Sequence, residues 1–151
     1  MIQKKILNRL KLGKLTYLTV ALQQLITAQR ASCELILDGQ KTIPMKRFLF
    51  IASMNHTYEG GGFMFAPKAD NADGLLDICA VGGLPKPAIL FALPTAYFGK
   101  HIYIPGITMY RASHVEIRSS APLWVHTDGE VYFKSSHIYV SCEKQVLTLL
   151  S

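Results

Sequence analysis

Leu15, Leu18, Leu22 and Leu25 recur at offsets of 3, 7 and 10, with Ile26 beside them. That spacing lays them along one face of an amphipathic helix over residues 11–29. Beyond it the apolar positions fall into short runs separated by turn residues. Residues 33–37 read as a strand entering Asp38-Gly39, a hairpin dipeptide, with Thr42-Ile43 on the far side. Residues 47–53 form a continuous apolar run, followed by a loop holding Gly60-Gly61-Gly62, a short run at 63–65, and a turn-rich segment from Pro67 to Gly74. Residues 75–81 predict a further strand. A second helix is expected over 86–98, opened by Pro85 and Pro87 and closed by Gly99. Pro94 predicts a kink or early stop inside it. Strands then follow at 107–111, 115–118, 123–127, 131–133, 137–140 and 146–150, with a turn at Asp128-Gly129. About nine or ten short strands and two helices predict a mainly β chain. The expected architecture is an antiparallel two-sheet β-sandwich with one N-terminal amphipathic helix and one short internal helix, not a βαβ fold.

Composition narrows the picture. At 151 residues, half of them hydrophobic and 17% charged, the chain suits one domain with a substantial core. No stretch reaches the roughly 18 uninterrupted apolar residues of a spanning helix, since Gln23 and Gln24 break the longest candidate. A secretory signal is a poor reading too. No small-x-small cleavage site follows the apolar run, and Arg30 stands where one is needed. All ten acidic residues lie at or after Glu34, so residues 1–33 carry +6 and the remainder balances to zero. The basic N-terminal segment suits an anionic lipid surface or nucleic acid, or is simply a solvated lead-in to the helix. A nucleic-acid binder would interleave basic and aromatic residues across the body, and this chain does not. Cys33, Cys79 and Cys142 are far apart in apolar contexts, without a Cys-x-x-Cys pair. They read as buried reduced thiols of an intracellular protein.

Several kinds of chemistry have no foothold. The chain has no phosphate-binding Gly-x-x-x-x-Gly-Lys-Ser/Thr loop, no dinucleotide fingerprint and no Gly-x-Ser-x-Gly elbow. Its five histidines are scattered, without zinc spacing, and read as edge or hydrogen-bonded residues. Three segments stand out. In Glu59-Gly60-Gly61-Gly62 the glycines permit close backbone approach, either to a neighbouring strand or to an anion held by consecutive N–H groups. The segment from Pro67 to Asp77 carries Asp70, Asp73 and Asp77 in a turn. It is either an ordinary Asp-Gly turn or a site for a hard divalent cation. His126-Thr127-Asp128-Gly129-Glu130 exposes two carboxylates between apolar strands, as a solvated hairpin tip or as a rigidly held general base.

The order of these segments is more informative than any one of them. Residues 12–18 read Leu-Gly-Lys-Leu-x-Tyr-Leu. There follow Asn55, Glu59-Gly-Gly-Gly-Phe63, Ala66-Pro67-x-Ala69-x-x-x-Asp73-Gly74-x-Leu76-Asp77, Gly99-Lys100-His101 and Asp128-Gly129-Glu130. This series resembles the C-terminal half of the diacylglycerol/sphingosine-type lipid kinases, the bacterial lipid kinase family included, from about Leu10 to Val140. Past Glu130 the likeness thins, with Ser141-Cys142 where a proline is expected.

The resemblance implies a β-sandwich of the NAD kinase/diacylglycerol kinase C-terminal type, packed behind a nucleotide-binding domain that carries a Gly-Gly-Asp-Gly-Thr loop. ATP, with magnesium, would phosphorylate a lipid hydroxyl in the cleft between the two domains. Glu130 would accept the proton of that hydroxyl. Asp73 would hold a structural magnesium, completed by backbone oxygens at Asp70 and Leu75. Gly60, Gly61, Gly62 and Asp128 would lie near substrate or phosphate. Phosphoryl transfer asks the protein mainly for positioning and charge neutralisation, so such sparse machinery is sufficient.

The chain departs from the family in lacking Gly-Gly-Asp-Gly-Thr, and Met1 falls just ahead of the first helix of the second domain. The expectation is one domain over 1–151, a fragment of a longer kinase or the product of a truncated gene, inactive until a nucleotide-binding domain joins it in cis or trans. The implied partners are a lipid substrate and, peripherally, a membrane, with no nucleic acid. The implied location is the cytoplasm or the inner membrane face. A stand-alone, non-catalytic lipid- or anion-binding sandwich is the alternative, and its exposed apolar surface would promote homo-oligomers. A NAD kinase-like reading shares the architecture. The segment from Pro67 to Asp77 and the Asp128-Gly129-Glu130 turn fit the lipid branch better.

Overall fold

The computed structural model describes residues 30–59, 62–127 and 130–144. The helix expected at 11–29 and the strand expected at 146–150 lie outside them. Six strands are present among the described residues: β1 (Ala31–Leu37), β2 (Lys41–Met54), β3 (Leu76–Gly82), β4 (Ile107–Ala112), β5 (His114–Thr127) and β6 (Glu130–Ser141). They form one sheet in the order β4-β3-β2-β1-β5-β6, with every pairing antiparallel.

Strands are fewer and longer than the hydrophobic pattern predicts. Thr42-Ile43 and the 47–53 run are one strand, as are 115–118 with 123–127, and 131–133 with 137–140. The reason is bulging. β2 carries an extra residue between Met45 and Phe48 where it faces β1, and β5 shifts register between Arg118 and Leu123 where it faces β6. Arg47 takes a left-handed φ of 55° at the bend in β2. An extra residue at a bulge reverses which side chains face inward without ending the strand, so the alternation breaks while the ladder continues. The 63–65 run is not a strand. It contributes only an isolated bridge between Glu59 and Phe63.

The Asp38-Gly39 hairpin is present as expected. Asp38 and Gly39 have φ of 50° and 67°, the two left-handed residues that a tight β1–β2 connection needs. One apolar cluster joins Leu35 and Leu37 of β1, Phe48 of β2, Leu76 and Ile78 of β3, Ala112 of β4, and Val115 and Ile117 of β5. β4 and β5 stand four places apart in the strand order. Their sharing of one core means that the sheet folds over on itself.

A second cluster covers the other face of β3, because successive side chains of a strand point to opposite sides. Cys79, Val81 and Ile107 there meet Ile89 and Ala92 of the internal helix α1 (Lys86–Thr95). Pro94 falls in the last turn of α1. The chain then tightens into a 3-10 turn at Ala96–Phe98, and Gly99 reverses it with φ of 63°. The early stop expected from Pro94 is thus observed. Gly99 is doubly constrained, since a Cβ there would lie 2.9 Å from the Pro67 ring. A second 3-10 turn, Lys100–Tyr103, leads to β4. Cys33 and Cys79 are buried free thiols as expected, and burial pushes them up to about 11 and about 12, whereas Cys142 is only partly buried. Among the described residues no helix is long and apolar enough to cross a membrane.

Candidate functional site

The turn before β3 is organised by its own carboxylates. Asp70 Oδ1 accepts a hydrogen bond from the Ala72 amide at 2.9 Å, and Asp73 Oδ1 accepts one from the Leu75 amide at 2.8 Å. Two such Asx turns, with Gly74 at φ of 76°, deliver the chain into the buried strand that starts at Leu76. Part of what the three aspartates do is therefore local backbone chemistry.

The second oxygen of Asp73 looks across the fold. Arg111 of β4 donates a guanidinium hydrogen bond to Asp73 Oδ2. Arg111 Nε also lies 3.4 Å from Asp77 Oδ2. Antiparallel pairing makes this possible, because Asp77 of β3 sits directly opposite Arg111 of β4. Asp77 is 3% exposed, and its Oδ2 has no hydrogen bond. Burial raises the Asp77 carboxyl above the usual carboxylate range. The Arg111 charge opposes that rise, and the neighbouring Asp73 adds to it. Asp73, Asp77 and Arg111 form one charge cluster, and the sequence reading missed Arg111. Nothing in the linear pattern marks that residue, since only the β3–β4 register brings it there.

Magnesium was expected at Asp73, with backbone oxygens from Asp70 and Leu75. Among the described residues no three His, Cys, Asp or Glu side chains gather into a cage. The donors fit a more modest role. A cation that keeps most of its water and takes one carboxylate suits Asp73, and the buried, unbonded oxygen of Asp77 leaves negative charge nearby. Arg111 already supplies positive charge at that place, so a magnesium ion would share Asp73 with the guanidinium.

The glycine loop is anchored on one side. Gly60 and Gly61 lie outside the described residues, and Gly62 has φ of 92°. Glu59 and Phe63 exchange backbone hydrogen bonds of 2.9 and 3.2 Å, closing a tight loop. Phe63 is 1% exposed and stacks on Tyr97 at 4.2 Å between ring centres. His101 is buried at 2% exposure beneath the same region, and its Nε2–H donates to the Phe65 carbonyl at 3.3 Å. Burial lowers its pKa, the hydrogen bond to Phe65 opposes that fall, and its Nδ1 is buried without a hydrogen bond. Of the Asp128-Gly129-Glu130 turn, Asp128 and Gly129 lie outside the described residues. Glu130 opens β6, opposite Thr127 of β5. It belongs to the edge strand at the other end of the strand order from β4.

Comparison with known proteins agrees with this fold. Residues 3–151 match the YegS C-terminal NAD kinase beta sandwich-like domain, and the chain belongs to that family. A diacylglycerol kinase of Mycobacterium tuberculosis is 29% identical over 118 residues, which cover 78% of this chain and 38% of the relative. A crystal structure of a diacylglycerol kinase from Bacillus anthracis superposes with a TM-score of 0.64 at 22% identity, over 91% of this chain and 46% of that one. The chain thus spans less than half the length of the proteins it resembles, and corresponds to the C-terminal domain of the lipid kinase family.

Proposed function

We propose that this chain is the lipid-cleft and general-base half of an ATP-dependent lipid kinase that phosphorylates a lipid hydroxyl such as that of diacylglycerol. The observation that carries the reading is the family match across residues 3–151, together with a relative named as a diacylglycerol kinase. In this reading Glu130 takes the proton as the lipid oxygen forms its bond to the γ-phosphorus of ATP. The bond from that phosphorus to the bridging oxygen breaks, and ADP leaves. Gly60, Gly61, Gly62 and Asp128 line the approach to substrate or phosphate. Asp73, with backbone oxygens of Asp70 and Leu75, holds a structural magnesium whose charge would fix the turn ahead of β3. The finer architecture is a sandwich of two packed sheets, made by the bulged β2 and β5 folding one continuous ladder over itself. A nucleotide-binding domain, in cis or trans, grips ATP, and without it this polypeptide is inactive.

The test is an assay of ATP-dependent diacylglycerol phosphorylation by the 151-residue chain alone and by a protein that joins it to a nucleotide-binding domain. Activity confined to the joined protein and lost with Glu130→Gln is expected. Steady phosphorylation by the isolated chain, or an unimpaired Glu130→Gln enzyme, would sink the reading.

A further inference from the structure

The Gly99-Lys100-His101 motif lies in the two 3-10 turns after α1, and the proposed chemistry makes no use of it. Those turns hold the chain that follows the glycine loop at four points. The Met64 amide donates to the Ala96 carbonyl at 2.9 Å, and the Phe63 ring stacks on Tyr97. Gly99 passes Pro67 so closely that a Cβ would collide. His101 donates through Nε2–H to the Phe65 carbonyl at 3.3 Å, and the two rings meet edge-on. Phe65 in turn packs against the apolar cluster that α1 forms with β3 and β4. These contacts fix Phe63, whose backbone closes on Glu59 with hydrogen bonds of 2.9 and 3.2 Å.

Of the four, only the histidine changes charge near neutral pH. Its Nε2 carries a proton in order to donate to a carbonyl, and Nδ1 is buried without a hydrogen bond among the described residues. A second proton would turn Nδ1 into a donor that faces no acceptor, and would place a charge where water cannot solvate it. The surroundings hold no acid to offset that charge. Residues 62–67 have no ionisable side chain, α1 has only Lys86, the two turns add Tyr97, Lys100 and Tyr103, and β4 adds Tyr110 and Arg111. No aspartate or glutamate occurs between Asp77 and Glu116. Burial lowers the His101 pKa from 6.5, and the Phe65 carbonyl opposes the fall only in part. A histidine lowered in this way takes its proton more readily once the contact has opened. The closed contact is therefore fully favoured above 6.5 and weakens as pH falls below that value.

We propose that His101 is a positioning residue that works as a pH-sensitive latch: its neutral ring holds Phe65, and with it the Glu59–Phe63 closure, and a proton on Nδ1 releases them. The proposal rests on the lipid-kinase reading for its purpose, because in that reading the glycine segment borders substrate or phosphate and release of the closure weakens substrate binding.

The experiment follows the backbone amides of Glu59, Phe63 and Met64, together with the His101 ring, by NMR of the 151-residue chain between about pH 7.5 and 5. The three amides are expected to shift together, at the midpoint of the His101 ring and below 6.5. His101→Gln keeps an N–H for the Phe65 carbonyl but gains no charge, and should hold the amides at their high-pH positions throughout. His101→Ala should place them near their low-pH positions already at neutral pH. If His101→Ala fails to fold, the His101→Gln titration decides alone. Amides that stay in place while the His101 ring titrates overturn the proposal, as does an equal pH response in His101→Gln. So does a response abolished by His56→Gln, since His56 is an exposed histidine three residues before Glu59. In the joined two-domain protein, acid should raise the substrate KM about fivefold, as loss of one buried hydrogen bond would, and His101→Gln should remove that rise. Coupled amide shifts without turnover sink the kinase reading alone, and turnover with unmoving amides sinks the latch alone.

Discussion

Arg111 of β4 and Asp73 of the turn ahead of β3 are joined by a guanidinium–carboxylate hydrogen bond, and the same guanidinium faces Asp77. One side chain thereby ties the Asp-Gly turn to the strand beside it and opposes the charge of a buried carboxylate. Arg111→Met should lower stability at neutral pH by about 1–2 kcal/mol. The low end of a broken buried pair applies because the arginine is half exposed. The Asp77 carboxyl is already raised, and losing Arg111 raises it further. A raised folded-state value means stability that is complete below the unfolded value of about 3.9 and lost as pH climbs through the folded one. The variant's deficit in melting temperature should therefore grow from about pH 4 upward and vanish below it. A deficit independent of pH would show that Arg111 acts through packing alone.

Asp73→Asn tests the metal. The amide keeps an oxygen for the Leu75 N–H but loses the charge that meets Arg111 and that a magnesium ion would need. The parent chain should melt higher in magnesium than in chelator, and the variant should melt lower and show no such difference. A parent melting temperature indifferent to magnesium would remove the ion from this turn.

Glu130→Gln should reduce turnover of the joined protein by orders of magnitude with little change in substrate KM, because in the proposed mechanism the proton Glu130 would accept moves only in the transition state. Circular dichroism and melting should match the parent. Unaltered turnover would take Glu130 out of the chemistry.

Asp38 staples the β1–β2 hairpin to the β4–β5 junction. Its Oδ1 accepts from the Ser113 and His114 amides at 2.9 Å each and from the Ser113 hydroxyl at 2.8 Å. The His114 amide, then the Ser113 hydroxyl, hold its pKa below the ordinary value. A lowered carboxylate contributes stability above the unfolded value and loses it as pH falls through the folded one. Asp38→Ala should lower the melting temperature at pH 7 and converge on the parent as pH falls below the ordinary carboxylate value of about 3.9. A gap that persisted in acid would assign the loss to the turn's backbone preference instead.

Gly99→Ala should cost about 1–3 kcal/mol, measured by denaturant unfolding. Its φ of 63° is unfavourable for alanine, and the added methyl would press on Pro67 at 2.9 Å. A variant as stable as the parent would mean that the turn after α1 relaxes freely.

The local chemistry of this chain was legible in its residues. Asp38-Gly39 set a left-handed hairpin, Pro85, Pro94 and Gly99 bounded the internal helix, and alternating or continuous apolar runs marked part of every described strand. Those features depend on neighbours in the chain, through backbone sterics and side-chain period. The order Glu59-Gly-Gly-Gly, Asp73-Gly-x-Leu-Asp77, Asp128-Gly-Glu130 likewise points to the lipid kinase family from the residues alone. Strand length escaped, because the bulges in β2 and β5 break alternation while leaving the ladder intact. Arg111 escaped too, since its meeting with Asp77 is a matter of β3–β4 register across an intervening helix. The outward face of α1 was equally hidden: its sequence is largely apolar, and only packing on β3 and β4 decides which half is left exposed. Sequence determines what each segment prefers within a few residues, whereas long-range register and burial decide which preferences face each other and which remain exposed.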